Sequence, residues 1–373
     1  MKSMWLMMMM MMVVVVVCGM TVGTNGLTVN VHYPASNLKT GSTLFVRGDG
    51  CGLDWKKGKE LAYSGKDMWT GEVSCDDGKG LGFKVLVDDE VWEIGANNEA
   101  AASASKVSVT PWFFTSQGVY EYVNNVYSKE LKNTRNIVTY LPPSYYENPY
   151  KKEYPVIFAQ DGQNLFNAST SFAGVAWECQ TTLDELIVEG RMPELIMVGI
   201  DNTADRMAEY TWCKDGAYGG GKAELYLDWV ESTVMPLMGE HYRIPAELGP
   251  DNTAILGSSL GGLLSCYAGF TRPSVYGKAI CMSSSFWWAD FAFGSQVMVD
   301  TPPPPKSLPF YLDVGTGEPQ SMQDGFQQVG THFEAIGWVN GTNLFTYLAP
   351  GGHHDEASWG ARFWVPMLDL YGY

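Results

Sequence analysis

The most constraining feature of this chain is a G-x-S-x-G pentapeptide, Gly257 to Gly261, held between two apolar runs. Thr253-Ala254-Ile255-Leu256 precedes it and Gly262-Leu263-Leu264-Ser265-Cys266-Tyr267-Ala268 follows. A buried strand, a sharp turn and a helix fit that order, with Ser259 at the apex. Glycine on either side is what such a turn needs, since its strained backbone would bring larger side chains into collision. The helix N-terminus beyond the turn places partial positive charge beside the hydroxyl. The pentapeptide alone is a weak signal, because a plain strand-to-helix loop reads the same way, so the remaining chain has to decide.

A length of 373 residues with 46% hydrophobic and 13% aromatic side chains describes a folded protein with a sizeable core. The formal net charge of -17 and the lack of any Lys/Arg cluster exclude a nucleic-acid partner, which phosphate recognition would require to be basic. Residues 1–23 read as a secretory signal: Lys2 gives a short positive start, Trp5 to Cys18 is an unbroken apolar block, and Val17-Cys18-Gly19 offers small residues for cleavage. The block is short for a bilayer span, so a secreted, extracellular protein without stable membrane association is expected, with an uncleaved anchor as the alternative.

Secretion gives meaning to the six cysteines that remain once Cys18 is removed. Cys51 with Cys75 is the one pair inside the N-terminal region and is the expected bridge. Cys179 with Cys213 and Cys266 with Cys281 complete the pairing as guesses. Asn167-Ala168-Ser169 and Asn340-Gly341-Thr342 are glycosylation sequons.

Residues 24–112 carry short β-like segments of six or seven residues, among them Leu27–Tyr33, Ser42–Arg47, Met68–Val73 and Gly82–Val87, separated by Gly, Asp and Lys turns. They predict a small all-β sandwich. Trp55, Trp69 and Trp92 lie within it, either as core aromatics or as faces for sugar rings. The stretch Gly50 to Asn97 resembles the starch-binding and related immunoglobulin-like modules attached to carbohydrate enzymes, which implies polysaccharide as a partner.

Pro111-Trp112 marks a junction, after which residues 113–373 alternate strands with helices and predict an α/β layered domain with a mostly parallel central sheet. Expected strands include Asn136–Leu141, Tyr154–Gln160, Leu195–Ile200, Thr253–Leu256, Lys278–Met282, Phe310–Gly315 and Leu344–Leu348. Helices are expected over 181–187, 223–238 and 324–336. In such a sheet the functional loops gather at the carboxyl ends of the strands, where Ser259 falls.

A serine hydroxyl is a poor nucleophile at neutral pH and needs an imidazole to take its proton and a carboxylate to hold that imidazole. Of the five histidines, His32 lies in the β region, and His241 and His332 sit in or beside expected helices. His353 and His354 stand in the Gly-rich loop after the last strand, where an α/β hydrolase whose triad runs Ser, acid, His would carry its base. Between them and the serine, Asp313 and Glu318 are the candidate acids. Glu318 is favoured because it lies in the loop past the strand. A metal site built from His353, His354, Asp355 and Glu356 is rejected, since adjacent side chains diverge and no H-x-x-x-H spacing exists; no cofactor is expected. One oxyanion donor is the backbone N–H of the residue after the nucleophile, Leu260.

These landmarks resemble the putative esterase family of α/β hydrolases, which contains enterochelin esterases, feruloyl and acetyl-xylan esterases of carbohydrate esterase family 1, and mycolyltransferases. The matching residues run in order from Arg135 and Tyr140-Leu141-Pro142-Pro143 through Asp161-Gly162-Gln163-Asn164-Leu165-Phe166 and Val198-Gly199-Ile200-Asp201-Asn202. They continue with Arg206, Glu209-Tyr210, His241-Tyr242-Arg243, the serine turn and the Gly-Gly-x-His-x-Glu-x-x-Trp frame from Gly351 to Trp359. The resemblance implies an α/β-hydrolase fold, His354 as base, Glu318 as acid where some members carry Asp, and Gln163 as the second oxyanion donor. The expectation is a serine carboxylic-ester hydrolase acting on acetyl or feruloyl esters of carbohydrates, with Asp161, Trp177, Tyr210 and Trp287 against the substrate. Trp212, Phe286 and Trp288 are further candidates for an aromatic cleft. An acyltransferase of the same fold and a catalytically silent glycan-binding protein are the alternatives.

Overall fold

The computed structural model describes residues 25–75 and 80–373; the signal-peptide reading of residues 1–23 lies outside them. Two small sheets come first. One joins Ala62–Gly65, Met68–Cys75, Asn25–His32 and Lys106–Val109, and the other joins Lys59–Glu60, Leu44–Asp49, Leu81–Val87 and Val91–Trp92, with Asn98–Ala100 at its side. Leu44–Asp49 alternates buried and half-buried residues, as a strand with one face on a core must. Leu27, Val29, Val31, Tyr33, Val46, Phe83 and Val85 form that core between the sheets. Trp69 belongs to it, with its indole N–H on the Tyr33 carbonyl, so of the three tryptophans only Trp55 and Trp92 offer open faces.

The second part is an eight-stranded sheet: β1 (Val119–Ser128), β2 (Asn133–Leu141), β3 (Val156–Gln160), β4 (Ile196–Ile200), β5 (Thr253–Ser258), β6 (Lys278–Met282), β7 (Phe310–Gly315) and β8 (Leu344–Ala349). Their spatial order is β1-β2-β4-β3-β5-β6-β7-β8. The pairs β1/β2 and β2/β4 are antiparallel and every later pair is parallel. This is an α/β-hydrolase architecture with a mostly parallel sheet. Strands β3, β4 and β5 are buried along their whole length, which is why each reads as a continuous apolar run. Successive residues of β3 divide between two cores, Val156 and Phe158 on one side and Ile157 and Ala159 on the other.

That division corrects the cysteine pairing. Cys51 and Cys75 form the expected disulfide. Cys179, Cys213, Cys266 and Cys281 are free thiols. Cys179 belongs to the core on one face of the sheet and Cys213 packs against the core on the other, so the sheet stands between them. Cys266 and Cys281 do meet in one core, where they remain hydrogen-bonded thiols raised well above the ordinary value for Cys281 by burial.

The expected helix over 223–238 extends to His241 but is not uniform. Ala223–Trp229 and Met235–His241 are joined by a π-turn at Val230–Val234. Pro236 has no N–H to give to the carbonyl four residues back, and the helix accommodates it by widening the preceding turn. Among the described residues no helix is long and apolar enough to cross a membrane.

Candidate active site

Strand β5 feeds a turn at Ser259 and then helix α1 (Leu260–Thr271), so the serine stands at the carboxyl end of the sheet. Ser259 has φ 57° and ψ −121°, a conformation L-residues avoid and one that a surrounding scaffold must impose. The scaffold is tight: a Cβ on Gly257 would lie 2.4 Å from the Gly261 carbonyl carbon, and one on Gly262 would lie 2.7 Å from the Met282 carbonyl oxygen. Gly257 and the following Gly262 are therefore required by contact, while the motif's second glycine, Gly261, would bring a Cβ within 3.0 Å of the Gln160 side chain.

Two other strand ends supply the partners. β7 ends at Gly315, three residues before Glu318, and β8 ends at Ala349, five before His354. His354 Nε2 lies 2.9 Å from Ser259 Oγ and its Nδ1 lies 2.8 Å from Glu318 Oε2. An ionised carboxylate only accepts, so Nδ1 carries the proton and the free Nε2 faces the serine hydroxyl. The Trp359 ring meets the His354 ring edge-on at 5.0 Å and fixes its plane. Burial alone would raise the Glu318 carboxyl, but hydrogen bonds from His354, the Ser283 hydroxyl and the Gly315 N–H outweigh it and hold it below its ordinary value.

Asp313, the rival acid, is occupied elsewhere. Arg362 clasps it at 3.0 and 3.1 Å inside the protein, while burial raises its carboxyl despite that partner. His353 points its main-chain N–H at the Ser358 hydroxyl and stays exposed.

Leu260 opens α1, and Gln163 lies in the short 3-10 turn Gly162–Asn164 after β3. Both N–H groups belong to first turns, where the helical ladder has no acceptor for them. Asp161 precedes that turn in a left-handed conformation, and its carboxylate is taken by Arg206 at 2.7 Å on each oxygen and by Asn202 at 2.6 Å. It borders the cleft as half of an ion pair rather than as a free acid.

The cleft beside the serine measures about 340 Å³ and is bordered by Asp161, Gln163, Phe172, Arg206, Ser259 and His354, with Asn164, Asn202, Thr203, Ser258, Glu356 and Trp359 completing it. The expected aromatic wall is corrected here. Trp177 is buried against Trp359 and Phe363. Tyr210 is fully buried, and its hydroxyl accepts the Asp161 N–H at 3.2 Å. Trp287 packs against Tyr218 and Trp288, away from the cleft lining. Phe286 and Trp288 are buried as well, and Trp212 stacks on Tyr267. Large aromatics follow their transfer free energy into the core, and the aromatics that border the cleft are Phe172, 92% exposed, and the edge of Trp359.

Sequence reasoning missed Ser283, Ser285 and Arg362. Ser285 Oγ lies 3.2 Å from Ser259 Oγ, and its backbone N–H holds the Ser259 carbonyl. The one available signal was the triplet Ser283-Ser284-Ser285 at the end of an expected strand.

Comparison with known proteins places the family and the fold. The family model described as "Putative esterase" matches residues 128–370. The protein YbbA of Bacillus subtilis is 30% identical over 171 residues, covering 44% of this chain and 62% of its own length. The chain thus spans less than two thirds of that relative. The enterobactin esterase FES of Shigella flexneri superposes with a TM-score of 0.53 at 15% identity, covering 91% of this chain and 90% of that one. A ferulic acid esterase superposes with a TM-score of 0.52 at 16% identity, covering 68% of this chain and 97% of that one. At such identities the likeness is one of fold.

Proposed function

The chain belongs to the putative esterase family, and from that premise we propose that it is a secreted serine carboxylic-ester hydrolase working through an acyl-enzyme on Ser259. The observation that carries this reading is the unbroken relay from Ser259 through His354 to Glu318, with contacts of 2.9 and 2.8 Å. In the reaction Ser259 Oγ attacks the ester carbonyl and gives its proton to His354 Nε2. Glu318 stays ionised and offsets the imidazolium charge. The carbonyl oxygen becomes an oxyanion between the N–H groups of Leu260 and Gln163, in a site where such donors are worth more than in water. Collapse breaks the bond to the alcohol, which leaves with the proton from His354. Water then attacks the acyl-enzyme, gives a proton to His354, and the acid departs as Ser259 recovers its own.

For the substrate, acetyl or feruloyl esters of carbohydrates are the first reading. Residues 24–112 then act as a glycan-binding module and 113–373 as the esterase. Support comes from Trp55 and Trp92, 37% and 39% exposed with ring centroids 6.2 Å apart, beside Lys84 and Asn97 in one hollow. Such paired faces suit sugar rings. A second reading, siderophore esters, is favoured by the reach of the enterobactin-esterase likeness across both parts of the chain. The Cys51–Cys75 bridge is consistent with secretion.

Turnover of p-nitrophenyl acetate by the protein and its Ser259→Ala and His354→Ala variants tests the chemistry. Both variants are expected to lose at least about 1,000-fold in kcat, and full activity in either rejects the assignment. Rates on feruloylated oligosaccharide, acetylated xylan and a catecholate trilactone, with product analysis in the presence of an alcohol acceptor, separate the substrate readings and expose any transferase activity.

A further inference from the structure

Behind the carboxylate that faces His354 lies a buried polar cluster centred on Ser283. Ser283 follows β6 with a left-handed φ of 41° and is fully buried. Its backbone N–H is anchored on Asp313 Oδ1 at 2.9 Å. Its hydroxyl receives two donors, the Trp359 indole N–H at 3.0 Å and Arg362 Nη2 at 2.5 Å. A hydroxyl has two lone pairs and one proton. With both lone pairs filled by groups that can only donate, the proton has one place to go, Glu318 Oε1 at 2.5 Å. Oε1 also accepts the Gly315 N–H at 2.8 Å, and Arg362 Nη2 lies 3.4 Å away. Oε1 is thus surrounded by donors, whereas Oε2 is left to His354.

We propose that Ser283 is a positioning residue for the hydrolytic relay: Trp359 and Arg362 force its hydroxyl to donate to Glu318, which keeps that carboxylate ionised and its other oxygen aimed at His354 Nδ1. The inference rests on the reading of Ser259, His354 and Glu318 as the catalytic set and assigns the source of its protonation pattern. The charged and titratable groups facing Glu318 are His354 from the loop after β8, Arg362 from α2 (Glu356–Arg362), and Asp313 of β7. Asp313 is itself held by Arg362 and the Tyr311 hydroxyl, and the His353 ring lies beside Gly317. None of the others supplies a neutral donor that a single substitution can remove without taking out a charge.

The test is the pH profile of kcat/KM for Ser283→Ala on a neutral aryl ester. Without the hydroxyl, Glu318 becomes more basic, so the His354–Glu318 pair takes up its proton at higher pH. The acidic limb is expected to move up by a fraction of the roughly one to two pH units that a hydrogen bond to a charged group is worth on Glu318 itself, with kcat lowered and KM held. A folded Ser283→Ala protein whose profile superimposes on the parent's overturns the proposal. Should that variant not fold, Trp359→Phe keeps the ring beside His354 and removes one of the two donors that orient the hydroxyl. A smaller shift in the same direction supports the proposal, and an unmoved limb rejects it. Ser259→Ala, assayed in parallel, separates the two levels: an active Ser259→Ala protein brings down the catalytic set itself, whereas an inactive one beside an unmoved Ser283→Ala profile brings down only the role of Ser283.

Discussion

At the scale of single residues, the serine turn holds strain. The backbone of Ser259 sits where only glycine rests comfortably, at a cost on the order of 1–3 kcal/mol. Ser259→Gly is therefore expected to abolish turnover while melting at a higher temperature than Ser259→Ala, which keeps the strain and loses only the hydroxyl. Equal melting temperatures for the two would show that the turn is relaxed. Asp201, at the end of β4, makes a second case. Burial pushes its carboxyl up to about 6, with Asn136 and Arg135 offsetting only part of the effect. A folded-state value above the unfolded one means stability that is present in acid and lost as pH rises through about 6. Asp201→Asn should raise the melting temperature at pH 8 and leave it nearly unchanged at pH 4. A gain of the same size at both would contradict the assignment.

Elements were largely legible from the sequence because the central strands are buried on both faces and therefore read as apolar runs, and because the alternation of strand and helix has few topological solutions. Within the large sheet the exception was β1. Val119–Ser128 is an edge strand with mixed exposure and a bulge between Val123 and Val126, so it has neither a run nor a clean alternation. The site divides the same way. Ser259 and Glu318 were visible because each follows a strand in a fixed chain order, which left His353 and His354 for the base until the family resemblance chose His354. The cleft wall was not, since Trp177 and Tyr210 satisfy the same composition signal from inside the core. Ser283 was invisible for a different reason: its hydroxyl gains meaning only from donors 76 and 79 residues away. The β5–α1 junction can itself be tested. Gly257→Ala would place a methyl 2.4 Å from the Gly261 backbone, and overpacking of that kind costs roughly 1–3 kcal/mol. A urea midpoint lowered at constant slope is the expected outcome, and an unchanged midpoint would mean that the turn yields.

Across the whole molecule, the buried carboxylate of Glu147 sits where the β-sandwich meets the hydrolase part. Glu147 accepts from the Tyr33 hydroxyl at 2.9 Å, from the N–H groups of Phe113, Phe114 and Thr115 at 2.6, 3.0 and 2.9 Å, and from the Thr115 hydroxyl at 2.7 Å. Asn148 adds bonds to the carbonyls of His32 and Pro111, and the His32 ring stacks on Tyr150 at 3.5 Å. Glu147→Ala strands several of these donors at a cost on the order of 3 kcal/mol. Calorimetry should then resolve two melting events, against a single one expected for the parent, and a single unshifted transition would show that the contact is incidental. The same residue bears on engineering. A hydrolase part transplanted without its neighbour would carry an acid stripped of the Tyr33 hydroxyl, so domain shuffling at this seam demands a compensating change at position 147. A recombinant protein that swaps the sandwich must either recreate a hydroxyl at the place of Tyr33 or make the seam apolar.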